Sequence, residues 1–210
     1  MRKLLIALVA LITIPLSAHA AKWEEGKHYK VVPGQPTNTP ELREYFSYYC
    51  PACRSFESLL PDIQKAMPAN AKFAKTHVDY MQFTSAEIQY MIAQAKLVAD
   101  KTGLEKAFSG ALFNHIQTER KKIDTPDDLE AIYVKVGGDA EKFKKGMKSF
   151  SIVGQAKREK KIQDKLNKAG YITGVPSFVV NGKYVINIRS LDNKNFVEEY
   201  KALMTYLFTL

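Results

Sequence analysis

The sequence predicts an α/β protein whose sheet is assembled from both ends of the chain, with a block of helices between them. Three observations carry this. Strand, helix and strand patterns alternate from Glu41 to Val78, helical spacings without a convincing strand fill residues 84–169, and a hairpin signal follows at Asn181-Gly182. Sheet segments on both sides of a helical block imply a discontinuous domain, 21–83 with 170–210, that carries an inserted all-helical domain over 84–169.

The first twenty residues stand apart. Arg2 and Lys3 precede an apolar run from Leu4 to Leu16, and Ser17-Ala18-His19-Ala20 offers small residues for cleavage. This reads as a cleaved signal peptide over 1–20. The run is about thirteen residues long and is interrupted by Thr13 and Pro15, short of the roughly 20 needed to span a bilayer. No later stretch is apolar enough to span, so the remainder is expected in an oxidising compartment where disulfides form.

Val32 to Pro40, rich in proline, reads as an extended connection. Glu41 to Tyr49 is an aromatic strand, Cys50 to Met67 is helical, and Ala71 to Val78 alternates again. Pro51 suits a first helical turn, where its missing N–H costs nothing, whereas Pro61 should kink the helix midway. Ser85 opens a helix that runs to Lys101 with Gly103 as its stop, and a second runs from Leu104 to about Thr118. Thr125-Pro126-Asp127-Asp128 supplies a cap, a proline and first-turn acids for a third, which Gly137-Gly138 ends. Asp139 to Lys148 and Ile152 to Ala169 complete the block. Ser177 to Val180 and Tyr184 to Ile186 flank Asn181-Gly182, the dipeptide that fits a two-residue type I′ turn. A last helix from about Asn193 to Tyr206 places Phe196, Tyr200, Leu203 and Leu207 on one face.

Hydrophobic residues make up 46% of the chain and aromatics 11%, enough for a real core and against disorder. Without Arg2 and Lys3, 29 basic residues against 22 acidic ones leave about +7. The excess is lysine, clustered in Lys142 to Lys145 and Lys157 to Lys161 on helical segments, where a solvated face is expected rather than nucleic-acid binding. A salt-sensitive attraction to anionic membrane surfaces or acidic clients stays open.

The chain has two cysteines, Cys50 and Cys53, placed where a strand passes into a helix. As a staple they would be a poor choice. A bridge closing four residues contributes about 2 kcal/mol, against about 4.7 for a hundred-residue loop. As a metal site they supply half a tetrahedral shell, and no His or further Cys stands at a completing spacing. Redox chemistry is the better reading, with no metal and no organic cofactor beyond the cysteine pair.

The run Glu44-Tyr45-Phe46-Ser47-Tyr48-Tyr49-Cys50-Pro51-Ala52-Cys53, with Lys75-Thr76-His77-Val78, Gly174-Val175-Pro176 and Val180-Asn181-Gly182-Lys183-Tyr184 in this order, resembles the DsbA family of periplasmic thiol:disulfide oxidoreductases. The resemblance implies a thioredoxin-like fold interrupted by a helical domain. It implies an enzyme of the Gram-negative periplasm that donates disulfides to newly secreted, reduced and unfolded proteins. It also implies a monomer reoxidised by a quinone-linked membrane partner of the DsbB type.

At the start of a helix Cys50 meets unpaired N–H groups and the macrodipole, so its thiol should ionise readily and act as the exposed nucleophile. Cys53, one turn deeper, is the shielded resolving partner. For Val175-Pro176 the family implies a cis bond and a loop beside the motif whose backbone pairs with an extended client. Glu44 lies on an otherwise apolar strand and Lys75 on its expected neighbour. They form either a pair at a sheet edge or, as the resemblance implies, a buried pair beneath Cys53 that handles its proton. His77, His115, His28 and Trp23 read as structural residues, and Met81 with Phe178, Tyr184 and Ile186 as core or as a client groove.

Two other readings stay open: a disulfide isomerase or reductase of the same fold, and a non-catalytic binding or chaperone module. Isomerases of this class carry a separate dimerisation domain, for which nothing precedes the sheet. The family's best-known motif has histidine where this chain has Ala52, which can neither donate a hydrogen bond to a thiolate nor carry charge. Cys50 should therefore be less acidic, and the protein a weaker oxidant, than a histidine form. Redox equilibrium with glutathione should show Ala52→His to be the more oxidising protein, and an unchanged or less oxidising variant would refute this.

Overall fold

The computed structural model describes residues 22–210, so the leader expected over 1–20 lies outside the described residues. Five strands form one mixed sheet: β1 (Tyr29–Val31), β2 (Glu41–Phe46), β3 (Lys72–His77), β4 (Ser177–Val180) and β5 (Tyr184–Ile186). Their order is β1-β5-β4-β2-β3, with β2 and β3 parallel and every other pairing antiparallel. The expected α/β architecture is present, and the chain leaves the sheet after β3 to build its helical block before returning through β4.

Register places the chemistry. Glu44 lies opposite Lys75 on β3 and opposite Phe178 on β4, in the middle of the sheet. Because side chains alternate along a strand, Glu44 shares a face with Leu42 and Phe46. On that face Leu42 and Phe178 pack with Phe56, Ile63, Tyr200, Leu203 and Leu207. Each such fully buried side chain contributes roughly 1.5–3 kcal/mol. The opposite face, with Tyr45, Val179 and Val185, packs against Leu166 and Ile172.

The helix expected from Cys50 to Met67 is two helices, α1 (Pro51–Phe56) and α2 (Leu60–Lys65). Pro61 falls in the first turn of α2. It has no N–H to continue a helix from α1, so the chain breaks before it instead of kinking through it. In the helical block, α3 (Ala86–Lys101) is capped by Ser85, whose Oγ accepts the Ile88 N–H at 3.2 Å. The second helix runs as α4 (Glu105–Phe113) and then widens into a π-helical turn, Asn114–Thr118. Thr125 and Asp128 close a reciprocal capping box on α5 (Pro126–Lys135). After α6 (Ala140–Lys148), α7 (Phe150–Lys168) starts two residues before the expected Ile152, because the Ser149 hydroxyl accepts the Ile152 N–H and caps it there.

Asn181 and Gly182 both take positive φ, 53° and 64°, and Lys183 N–H donates to Val180 O at 3.0 Å, closing the tight hairpin. The terminal α8 (Phe196–Phe208) buries Tyr200, Leu203, Met204 and Leu207, with Phe196 packed beside them. β1 has no counterpart in the sequence reading. Its three residues are too few to show an alternation, and only pairing with β5 makes them a strand.

Candidate active site

β2 ends at Phe46, and Ser47 to Tyr49 turn the chain so that Cys50 caps α1 in an extended conformation, with Pro51 in the first turn. The Cys53 N–H reaches Cys50 Sγ at 3.4 Å, and the Cys50 thiol donates to Val175 O at 3.4 Å. Both sulfurs are free thiols, Cys53 fully buried and Cys50 only 6% exposed. The nucleophile expected to be exposed is thus largely covered, because the loop through Val175 lies against it. Pro51 and Ala52 are exposed beside it.

The two thiols are driven apart in acidity. Cys50 is lowered to about 6, first by its hydrogen bond with Cys53 and further by the Cys53 and Ala52 backbone N–H groups, against the opposing effect of burial. Cys53 is raised by the same hydrogen bond and by burial, and the Glu44 charge adds to the rise. With six residues α1 aligns few peptide dipoles. The lowering therefore comes from particular donors at the first turn more than from a long macrodipole.

Val175-Pro176 is cis, and Ser177 Oγ donates to Gly174 O at 2.7 Å, bracing the loop. Gly174, Val175 and Pro176 are all half-buried.

Glu44, whose charge acts on Cys53, is fully buried, with neither carboxylate oxygen in a hydrogen bond, and Lys75 Nζ stands 3.5 Å from Oε2. Both groups are buried, although Lys75 lies on β3, the edge strand of the sheet. Lys75 instead donates to Glu57, whose side chain is 33% exposed, and its ammonium also lies over the Phe46 ring at 4.4 Å. Burial raises Glu44 to about 7, Lys75 pulls the other way, and the Glu57 charge adds to the rise. For Lys75 burial acts downward, but Glu44 and Glu57 outweigh it and hold the ammonium charged.

Sequence reasoning missed two residues. Glu57 carried no pattern to mark it. Gln117, on the π-helical turn, donates its amide to Tyr48 O at 2.7 Å and to Cys50 O at 3.0 Å, tying the helical block to the thiol turn. Also near the thiols, Phe83 is 44% exposed and stacks on Tyr49. His77 is buried against Tyr48 and lowered by burial to about 3, so it stays neutral. His28 accepts the Glu24 N–H and His115 lies beside Lys122 O, both structural contacts. Phe178, Tyr184 and Ile186 are core rather than groove, since α8 covers them. Among the described residues no group of His, Cys, Asp and Glu is placed to hold a metal.

A paired dithiol at a helix start, faced by a cis-proline loop and influenced by a buried carboxylate, defines a thioredoxin-fold thiol:disulfide oxidoreductase. The DSBA-like thioredoxin domain family matches residues 41–200, and the chain belongs to that family. It is 33% identical to the thiol:disulfide interchange protein DsbA of Dickeya dadantii, over 100% of this chain and 99% of that one. With the Escherichia coli K12 protein of the same name identity is 31%, over 99% and 98%. The solved structure of Pseudomonas aeruginosa DsbA shares the fold with a TM-score of 0.74 and 31% identity, covering 90% of this chain and 95% of that one. Proteus mirabilis DsbA with a non-covalently bound peptide superposes with a TM-score of 0.79 and 26% identity, over 90% and 100%.

Thiolate absorbance of the reduced protein should titrate with a midpoint near 6 and should vanish in Cys50→Ser. Since the folded pKa lies below the unfolded value near 8.5, the thiolate stabilises the reduced fold at alkaline pH, and that contribution is lost as pH falls through about 6. Urea unfolding of the reduced protein at pH 5 and pH 8 should show this loss. A midpoint near that of a free cysteine would refute the assignment.

Proposed function

We propose that the protein is a disulfide donor of the periplasm, exported by its N-terminal leader and acting as a monomer on reduced, unfolded secreted proteins rather than on nucleic acid. The observation that carries this reading is the opposed acidity of the two thiols. A dithiol with one sulfur favoured as thiolate and the other favoured as thiol is a comfortable state, so the closed disulfide is the form with a driving force to be given away. We read 21–83 with 170–210 as the domain that carries the thiols, and 84–169 as the insert that clamps them through Gln117.

In the oxidised protein a client thiolate attacks Cys50 Sγ. The Cys50–Cys53 bond breaks, the client–Cys50 bond forms, and the electron pair leaves on Cys53. A second client thiolate then attacks the client sulfur of the mixed disulfide, and Cys50 departs as thiolate, leaving the client oxidised and the enzyme reduced by two electrons. A quinone-linked membrane oxidase of the DsbB type takes those electrons. The cysteine pair itself is the redox group, and the reading needs no metal or organic cofactor.

We assign each neighbour a task that its geometry supports. Cys53 is a poor leaving group as a buried anion, so a proton must reach it as the bond breaks. Glu44, raised to about 7, is poised to hold that proton near neutral pH. Lys75 couples Glu44 to Glu57, and the partial exposure of Glu57 opens the group to solvent. Pro176 and Gly174 shape the loop, Val175 offers backbone to an extended client, and Pro51 starts the helix. Ala52 adds no charge, so the backbone N–H groups and Cys53 do the tuning.

Mixed with a reduced two-cysteine peptide, the oxidised protein should transfer its disulfide stoichiometrically. Its potential against glutathione should lie above about −180 mV, the value of an isomerase. A value near the roughly −270 mV of thioredoxin would refute the donor reading and favour a reductase.

Glu44→Gln should slow client oxidation several-fold and stay folded, because Lys75 keeps Glu57. A raised carboxyl pKa adds stability below the unfolded value of about 4.5 that is lost as pH rises through about 7. That loss should be absent in the variant. Equal exchange rates would refute the proton role.

A further inference from the structure

One helix face is left without a task by the thiol chemistry. The inner side of α7 is fixed to the sheet: Glu159 accepts from Thr76 Oγ1 at 3.0 Å, and Lys160 and Gln163 reach Asp79 at 2.7 and 2.8 Å. The outer side carries Phe150, Lys157, Arg158, Lys161, Lys165 and Lys168, all exposed. At about 100° per residue these six fall within an arc of roughly 100°. Over 19 residues the stripe runs for about 28 Å.

The stripe is uncompensated. The two acids of α7 are engaged elsewhere, Glu159 with Arg43 and Asp164 with Lys160, and among the described residues none of the five cations of the stripe forms an ion pair. Cations that repel one another along a face lower the stability of the fold and invite an anionic partner.

Phe150 gives the partner its character. At 94% exposed it is the most exposed large hydrophobic side chain among the described residues, and it projects from the first residue of α7 between Ser149 and Ser151. A protein interface needs a contiguous apolar centre, with about 800 Å² buried on each side. The exposed apolar side chains of α7, Phe150 and Ile162, stand twelve residues or about 18 Å apart along the helix and form none. An anionic lipid surface asks only for spread positive charge and an aromatic ring that can enter the headgroup layer. We propose that the outer face of α7 is a peripheral docking surface for anionic phospholipid headgroups, with Phe150 as its inserting tip.

Docking of this kind would hold the enzyme reversibly at a membrane without spanning it, and no helix among the described residues is long and apolar enough to cross one. It is independent of the donor reading, since none of the six residues lies at the thiols.

The test is co-sedimentation of the purified protein with phosphatidylcholine vesicles containing 0 or 40% phosphatidylglycerol. Binding should appear with phosphatidylglycerol and collapse in 0.5 M salt. Lys157→Glu with Lys161→Glu should weaken it at least tenfold, given roughly fivefold for each basic residue at an anionic surface. Phe150→Ser should weaken it about fivefold at unchanged charge. Reversing the exposed Lys30 and Lys194 instead gives the same net charge and should leave most of the binding. All variants should keep wild-type exchange with a soluble peptide.

Three results would overturn the proposal. They are no binding to phosphatidylglycerol vesicles, equal loss in the Lys30 and Lys194 control, and no effect of Phe150→Ser together with equally strong binding to soluble polyglutamate. The last would assign the face to acidic polypeptides.

Discussion

The interaction on which the site depends is the coupling of the two thiols across the first turn of α1, where the Cys53 N–H reaches Cys50 Sγ at 3.4 Å. Cys50 and Cys53 share a hydrogen bond that lowers one thiol and raises the other. Both consequences favour the open form. The Cys50 charge is spread over the Cys53 thiol and the N–H groups of the first turn, and the Cys53 proton stays where burial wants a neutral group. Closing the disulfide removes that charge and the Cys53 proton together, and leaves the first-turn N–H groups without an anion to stabilise. The stability of the reduced fold and the driving force for giving up the disulfide are therefore one free energy seen from two sides.

A second, partial pairing explains how a carboxylate is tolerated inside the sheet. A buried charge without hydrogen bonds is expensive, and Glu44 has both oxygens unpaired at hydrogen-bond distance. Lys75 offsets part of the cost from 3.5 Å, but it is shared with Glu57, so Glu44 is left with a pKa near 7 instead of a firm negative charge. Full pairing would make a more stable protein with a carboxylate permanently ionised. Partial pairing leaves a group that titrates near neutral pH, which is what the proton role proposed for Glu44 requires.

Much of this was legible in the chain because the signals are local. Ser85 and Gly103 bound α3, Thr125 and Asp128 close a box within one turn, and Asn181-Gly182 suits its turn whatever surrounds it. The cysteines announced themselves by spacing. What escaped is what tertiary contact alone creates. β1 is a strand because β5 lies beside it, and Gln117 matters because the π-helical turn carries its amide back to Cys50 O, 67 residues away in sequence. Glu57 looked like any exposed helix acid until Lys75 on a distant strand reached it. The kink expected at Pro61 is instead a break between two helices, because whether a proline kinks a helix or starts a new one depends on what the preceding turn can pack against. Here Phe56 is drawn under Phe178 and Tyr200, and the chain turns to put it there.

Ala52 shows how these layers combine. Its side chain is exposed and does nothing to the thiolate, yet its backbone N–H is one of the groups that lower Cys50. The first turn thus supplies a baseline acidity that belongs to the backbone and is available to any residue at that position. A histidine side chain would act on top of it, from the solvent side, where its charge is screened. Tuning in this fold accordingly has two tiers. On the donor reading, the buried tier, formed by the Cys53 thiol, the first-turn N–H groups and the Glu44 charge, favours the dithiol. The exposed tier at position 52 sets by how much, and this chain keeps the first tier while leaving the second nearly empty.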